Sequence, residues 1–335
     1  MNLRQQQEQF ELDCLSPYAT KSAYTKGRKA PADKCDIRTE FQRDRDRIIH
    51  SKALRRLMHK TQVFIAPEGD HYRTRLTHTL EVSQISRSIS RALKLNEDLT
   101  EAIAMGHDLG HTPFGHTGEE ALDKIWPEGF QHNQQSVRIC EILEKNGEGL
   151  NLTWEVLDGI ENHRGACDPS TPEGKVVQLS DKIGYINHDI DDAIRAGLLT
   201  EDELPHESTA VLGHNNKARI DFLIRDVIAN SMGKDDVIMS AHVKKAMYDL
   251  RQYMYETVYT SQLQMIERRK IARILEQLYG YYAEDSTRLP DEFRKLIDMG
   301  ETHERVALDY VACMTDRFAL KQFDKIFMPD IWSIY

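Results

Sequence analysis

The stretch AMGHDLGHTPFGHTGEE, residues 104–120, contains three histidines, one aspartate and two glutamates that could bind a metal ion or transfer protons. Half of the fourteen histidines lie between His50 and His116, in a fifth of the chain. Adjacent side chains within a helix point about 100° apart, but where a helix ends they can converge on one cation. The pair His107 and Asp108 is therefore a candidate for metal binding.

Two residues elsewhere in the sequence could complete such a site. His78 begins a helical pattern 29 residues before His107, and Asp181 lies in an apolar helical pattern 73 residues after Asp108. A buried carboxylate at Asp181 would cost several kcal/mol unless it were paired or bound to a metal. Two imidazoles and two carboxylates form a mixed ligand set that suits Mn, Fe, Co, Ni, Zn or Mg, with water in the remaining positions.

Helical patterns dominate the segments that would position these residues. Between His78 and Leu95 the apolar residues recur every three or four positions, which predicts one buried helical stripe. Asn96 is the expected N-cap of the next helix, which should continue through His107 and Asp108 and end at Gly110. Alternating strand patterns are scarce, so the sequence predicts an all-α fold. Further helices are expected at 134–145, 154–162, 175–196, 218–230, 243–279 with breaks, and 290–318, with a loop at 165–174 and a surface excursion at 200–216.

The composition limits the class of protein. The 335 residues are 40% hydrophobic and 29% charged, which is typical of a globular chain. The net charge of −10 argues against binding nucleic acid through bulk electrostatics. No apolar run approaches the roughly 18 residues of a membrane span, and the first thirty residues lack a signal-peptide core, so we expect a cytoplasmic protein. The five cysteines form no C-x-x-C pair, which argues against a disulfide framework and a zinc ribbon.

An anionic substrate would need a local cationic pocket in this acidic chain. Residues 41–60 contain seven Arg or Lys and two Asp, a local excess of +5. Such a run is typical of a solvated helix face with ion pairs. Its position just ahead of the histidine-rich stretch also allows a role in binding phosphate.

The motifs resemble those of a known superfamily. The series His78, His107-Asp108 and Asp181 is similar to the H…HD…D signature of the HD-domain metal phosphohydrolases. Within that superfamily, RTRLTHTLEV, HDLGHTPFGHTGEEAL, NLTWEVLDGI and GKVVQLSDKIGYINHDIDDAI look like the deoxynucleoside triphosphate triphosphohydrolases, the dGTPase and dGTPase-like group. The matching motifs span residues 38–197, and the long form of the central motif is more specific than the bare His-Asp pair.

The resemblance implies a role for each matching residue. The implied metal ligands are His78, His107, Asp108 and Asp181. The implied catalytic residues are His116 and Glu119, beside the scissile phosphate, together with His111 and His132. The implied substrate-binding residues are Arg75 and Lys182 at the phosphates and Gln62, Tyr185 and Asp189 at the sugar. Whether His116 acts as base, acid or nucleophile stays open.

The resemblance also implies an architecture and a reaction. The expected fold is an HD-domain helical bundle, with an N-terminal extension at 1–40, a phosphohydrolase core at 41–200 and a C-terminal helical region at 201–335 packed on that core. The expected reaction is metal-dependent hydrolysis of dGTP or several dNTPs to deoxynucleoside and tripolyphosphate. The alternatives are a nucleoside 5′-monophosphatase, a guanosine tetraphosphate hydrolase, a cyclic-nucleotide phosphodiesterase, or a nucleotide-responsive binding protein with a vestigial metal site. Relatives form oligomers, so we expect at least a dimer, and a second nucleotide could act as an allosteric effector.

Overall fold

The computed structural model describes residues 1–62, 73–260 and 262–329, and this part of the chain contains sixteen α-helices and no β-strand. The all-α prediction is therefore confirmed. In the same residues, none of the helices combines the length and the apolar character needed to cross a membrane.

The helices occur in the following order along the chain. The first eight are α1 (Leu3–Cys14), α2 (Glu40–Ile49), α3 (Lys52–Arg56), α4 (Arg75–Leu93), α5 (Glu97–Gly106), α6 (Gly115–Ile125), α7 (His132–Arg138) and α8 (Trp154–Glu161). The second eight are α9 (Pro172–Arg195), α10 (His206–Leu212), α11 (Asn216–Ser231), α12 (Ala241–Met254), α13 (Gln262–Glu284), α14 (Asp291–Asp298), α15 (His303–Ala312) and α16 (Asp316–Phe327). Single π-helical turns extend α7 over Ile139–Leu143 and α12 over Tyr255–Tyr259.

Helix α5 packs against α4, α8 and α9, and α9 also packs against α4 and α8. The predicted stripe of α4 is buried at Val82, Ile85 and Ile89. A first hydrophobic cluster joins α5 and α8 to the C-terminal helices α13 to α15, and a second joins α4 and α9 to α11 and α12. Residues from the N-terminal and C-terminal halves of the sequence therefore share both clusters.

The predicted N-cap of α5 is present, but its predicted end is wrong. The Asn96 side chain accepts a hydrogen bond from the Leu99 amide at 3.2 Å. The helix ends at Gly106, not at Gly110, and residues 107–110 form a turn. The reason is a side chain from α7: the Ser136 hydroxyl accepts from the Gly110 amide and donates to the His107 carbonyl. These two bonds hold backbone groups that a longer helix would have paired internally.

Two other segments differ from the expectations. Residues 290–318 form three helices, because Gly300 adopts a left-handed φ of 107° after α14 and Thr302 and Thr315 cap the next two helices. Residues 200–216 are not simply a surface excursion, since they include α10 and bury Leu204 and Leu212 in the second cluster.

Candidate active site

Four side chains from three separate segments converge where α5 ends. The Nε2 atom of His78 lies 3.1 Å from Oδ1 of Asp181 and 3.9 Å from Oδ2 of Asp108. The Nε2 atom of His107 lies 3.5 Å from Oδ1 of Asp108 and 3.8 Å from Oδ1 of Asp181. All are buried except Asp181, whose side chain is 22% exposed and opens the cluster to solvent. The structure thus brings together the four residues expected to bind the metal.

The chemistry of this cluster fits a divalent cation. The Nδ1 atom of His107 donates to the Ala104 carbonyl at 2.6 Å, which leaves a lone pair on Nε2. In the described part of the chain that buried Nε2 has no hydrogen-bond partner, although it faces two carboxylates and a second imidazole. Burial alone would raise the pKa of Asp181, but the hydrogen bond with His78 holds it below its usual value. An unpartnered imidazole nitrogen beside an ionised carboxylate is an arrangement that a metal ion would satisfy.

Glu119 organises a second cluster on α6. Its carboxylate accepts from the backbone amide and from Nδ1 of His132, both at 2.9 Å, and from the Arg164 guanidinium at 2.9 Å. It also accepts from Nδ1 of His116 at 3.2 Å. Burial would raise the pKa of Glu119, but the hydrogen bonds from His116 and His132 hold it far below its usual value. Glu119 is therefore ionised and directs Nε2 of His116 away from itself.

His111 connects this cluster to the four-residue cluster. Its Nε2 atom lies 3.2 Å from Oδ1 of Asp108, and its ring stacks on that of His132 with centroids 4.0 Å apart. His116 differs from the other members because its side chain is 60% exposed. The candidate metal ligands and the candidate proton-transfer residues therefore adjoin, and His116 is the histidine that faces solvent.

Sequence reasoning missed two members of this region, His163 and Arg164, at the end of α8. The Nε2 atom of His163 lies 3.2 Å from Nε2 of His132, and Arg164 binds Glu119. The Nδ1 atom of His163 donates to the Ile160 carbonyl at 2.6 Å, which repeats the arrangement of His107 with Ala104. Burial lowers the pKa of His163 to about 3, so it is neutral. The available signal was a histidine close to the end of a short helix with buried apolar residues, as at His107.

The residues expected at the phosphates lie in different places. Arg75, at the start of α4, is buried and donates to Asp108 at 3.0 Å and to the Gln62 carbonyl at 3.3 Å. It thus touches an expected metal ligand and stands at the edge of the cluster. Lys182, on α9, donates to the Gly165 carbonyl at 3.2 Å, in the loop before that helix.

Of the three residues expected at the sugar, Tyr185 and Asp189 lie on α9, and Gln62 lies in the segment before α4. Tyr185 and Asp189 follow Asp181 by one and two turns, so the three share one face of α9. Burial raises the pKa of Asp189 to about 7, while the hydrogen bond from the Tyr259 hydroxyl opposes this shift. Gln62 is buried, and in the described residues its Oε1 atom has no partner. Tyr259 was not among the residues predicted for the site.

The turn that presents His116 is held from the C-terminal helices. Phe114 and Gly115 have left-handed φ values of 63° and 57°, a conformation that costs a non-glycine residue about 1 to 2 kcal/mol. Asp316, the first residue of α16, accepts from the Phe114 amide at 2.9 Å and from the Thr61 hydroxyl at 2.6 Å. A Cβ atom at Gly115 would lie 2.9 Å from the Gln62 carbonyl oxygen, so only glycine fits there.

We expect the Asp316→Ala substitution to lower kcat by roughly 10- to 100-fold without loss of bound metal, because misplacing a catalytic group by about 1 Å can cost about 10²-fold. Steady-state kinetics together with metal analysis measures both quantities. Asp324→Ala, at an exposed position of the same helix, is the matched control. An unchanged kcat in Asp316→Ala would show that the turn keeps its conformation without this carboxylate.

Comparisons with known proteins agree with this geometry. The HD domain model matches residues 75–186, a range that includes all four converging residues, and the phosphohydrolase-associated domain model matches residues 237–325. The chain is 57% identical over 332 residues to a deoxyguanosinetriphosphate triphosphohydrolase-like protein of Caldanaerobacter subterraneus subsp. tengcongensis, covering 99% of this chain and 98% of the relative. A protein of the same description from Clostridium tetani is 47% identical, with 99% and 98% covered. A phosphohydrolase structure from Bacteroides thetaiotaomicron shares the fold, with a TM-score of 0.54 at 18% identity over 84% of this chain and 68% of that one.

Proposed function

This chain belongs to the deoxyguanosinetriphosphate triphosphohydrolase-like family of HD-domain phosphohydrolases, and from that premise we propose that it hydrolyses dNTPs to deoxynucleoside and tripolyphosphate. The observation that carries the proposal is the contact between the two clusters. His111 lies 3.2 Å from Asp108 and stacks on His132, so groups that suit a metal and groups that suit proton transfer can act on one phosphorus atom.

The four converging residues, His78, His107, Asp108 and Asp181, would hold the divalent ion. When bound, a Mn, Mg, Fe, Co, Ni or Zn ion would supply Lewis-acid polarisation of a phosphoryl group. Arg75 keeps Asp108 in place through its 3.0 Å hydrogen bond. The Arg75 guanidinium thereby fixes the orientation of the Asp108 carboxylate, a proposed metal ligand.

Cationic side chains would have to offset the charge of the substrate. A triphosphate brings about four negative charges to a chain of net charge −10. Arg75 and Lys182 are our proposed phosphate contacts. Arg164 is a further local cation, although its hydrogen bond to Glu119 ties part of its charge to that carboxylate. Four of the five arginines of residues 41–60 donate hydrogen bonds elsewhere, as Arg45 does to Asp98 and Glu101.

His116 is the proposed group for proton transfer or nucleophilic attack at the α-phosphorus. Because Nδ1 lies against ionised Glu119, the imidazole is held in one orientation with Nε2 free. A base, an acid and a nucleophile would each use that atom, so the geometry supports all three roles. His132 contacts Glu119, the partner of His116, and His111 contacts the candidate metal ligand Asp108.

We propose that Tyr185, Asp189 and Gln62 recognise the deoxyribose. Asp189 or Gln62 would hydrogen-bond the 3′-hydroxyl, and the Tyr185 ring would close the space beside C2′. The Arg251 guanidinium lies 5.9 Å from the centroid of that ring and helps to fix it. A 2′-hydroxyl in this space would lack a partner, which costs about 1 to 3 kcal/mol or roughly 5- to 150-fold in selectivity.

We therefore expect Tyr185→Ala to raise the turnover of GTP relative to dGTP, while Tyr185→Phe keeps the discrimination because it keeps the ring. The measurement is incubation of each protein with every dNTP and NTP plus Mg or Mn, followed by chromatography of the products. Equal turnover of GTP and dGTP by the unmodified protein would contradict the proposal. Turnover of a nucleoside monophosphate, guanosine tetraphosphate or a cyclic nucleotide instead would favour one of the alternative HD phosphohydrolases.

Three further proposals concern the setting of this activity. A homo-oligomer of at least two chains is proposed from family likeness. The composition supports a cytoplasmic location. A second nucleotide as allosteric effector remains a proposal that depends on family likeness alone.

A further inference from the structure

His78 directs its second ring nitrogen to His188, a residue of the same motif as Asp181 for which the sequence predicted no role. The Nδ1 atom of His78 lies 3.2 Å from Nδ1 of His188, and both rings are buried. On the other side of that ring, Nε2 of His188 lies 3.2 Å from Oε2 of Glu81. Glu81 follows His78 by three residues on α4, and His188 comes from α9. The three side chains form a row, Glu81, His188, His78, that leads to the candidate metal centre.

The positions of the hydrogens along this row follow from one another. For Nε2 of His78 to bind a cation it must carry a lone pair, so the hydrogen of that ring is on Nδ1. Two facing ring nitrogens can hold only one hydrogen between them, so His78 donates and Nδ1 of His188 accepts. A neutral His188 then carries its own hydrogen on Nε2, which faces the Glu81 carboxylate. With the hydrogen of His78 on Nδ1 and that of His188 on Nε2, each ring nitrogen in the row faces a suitable partner.

The surroundings of the row hold it in place. Arg73 donates through Nε to Glu81 at 3.0 Å and through Nη1 to Asp191 and Asp192 at 2.8 Å and 2.9 Å. Gly184 of α9 lies beside both rings: a Cβ there would be in ordinary van der Waals contact with them, 3.4 Å from Cε1 of His188 and 3.7 Å from Cε1 of His78. The other histidine of the metal centre, His107, uses a backbone carbonyl for the same purpose.

We propose that His188 and Glu81 are positioning residues for the metal ligand His78, fixing its tautomer and ring orientation and making its Nε2 a stronger ligand. The inference rests on the proposed function, in which His78 binds the ion. Metal-bound imidazoles commonly donate their other nitrogen to a carboxylate or carbonyl, and loss of that partner typically costs about 10- to 100-fold in metal affinity. Here a histidine stands between the imidazole and the carboxylate.

The test uses the full chain after a chelator has removed any metal. Mn²⁺ is titrated into the protein in a calorimeter, which gives the Kd. His188→Leu removes the acceptor and should raise the Kd for Mn²⁺ by about 10- to 100-fold. His188→Asn places a carbonyl oxygen near the position of Nδ1 and should restore most of the affinity. Glu81→Gln should weaken binding less than His188→Leu, and should add nothing in a His188→Leu background. His206→Asn and Glu207→Gln, at exposed positions of α10, are the matched controls.

The outcomes separate this inference from the proposed function. If the unmodified chain binds Mn²⁺ and His188→Leu binds it equally well, the positioning role is refuted and the proposed function stands. A His188→Asn variant as weak as His188→Leu would also refute it, because the acceptor would then be irrelevant. If the unmodified chain binds no divalent ion, both proposals fail. Should His188→Leu not fold, Glu81→Gln decides, and an unchanged Kd in that variant refutes the inference.

Discussion

Asp108→Ala is expected to reduce turnover by about 10³-fold or more and to lower the metal content, while the far-UV helicity stays close to that of the unmodified chain. Asp108 lies within 3.9 Å of both candidate histidine ligands, His78 and His107, so its loss removes a negative charge from the centre of the cluster. Loss of Lewis-acid stabilisation is worth several kcal/mol in the transition state, and each 1.36 kcal/mol is about tenfold in rate.

Asp108 also neutralises buried Arg75, so part of the effect of alanine could be on folding. Asp108→Asn preserves the volume and a hydrogen-bond acceptor, and it should show the same loss of metal with a smaller loss of stability. Metal analysis, thermal unfolding and kinetics on both variants separate these effects. Asp221→Ala, an exposed carboxylate on α11, should leave all three measurements unchanged. Full activity in Asp108→Ala would refute the metal assignment.

His116→Ala is expected to lower kcat by about 10²- to 10⁴-fold while the bound metal is retained. The reason is its position: His116 lies outside the four-residue cluster, its Nδ1 contacts Glu119, and its side chain is 60% exposed. Kinetics and metal analysis on one preparation measure both effects. His214→Ala, at an exposed position, serves as the control. Loss of the metal in His116→Ala would make this residue a ligand, and an unchanged kcat would remove it from the mechanism.

Local patterns in the sequence were sufficient to predict the elements that carry the metal cluster. The apolar stripe of α4 and the N-cap Asn96 are local signals, because periodicity and capping depend on neighbours within about four residues. The end of α5 was not predictable in this way. It is determined by Ser136, which lies 26 residues after Gly110 and captures the backbone groups of the turn.

The residues missed by sequence reasoning are held by contacts distant in sequence. Tyr259 reaches Asp189 across 70 residues, and Asp316 reaches Phe114 across 202 residues, so neither pairing leaves a local pattern. His188 had a signal, since it follows Asp181 by seven residues and therefore lies on nearly the same face of α9. Its role depends on Glu81, however, and only the packing of α4 on α9 brings those two side chains together.

The bond that breaks is the central claim, and phosphorus NMR of the reaction tests it most directly. With metal-loaded protein and dGTP, dATP, dCTP or dTTP, we predict that tripolyphosphate appears as the first phosphorus product, in equal amount to the free deoxynucleoside. The Asp108→Ala variant should produce neither signal. Orthophosphate or pyrophosphate as the first product would contradict the proposed placement of the α-phosphorus between the metal cluster and His116.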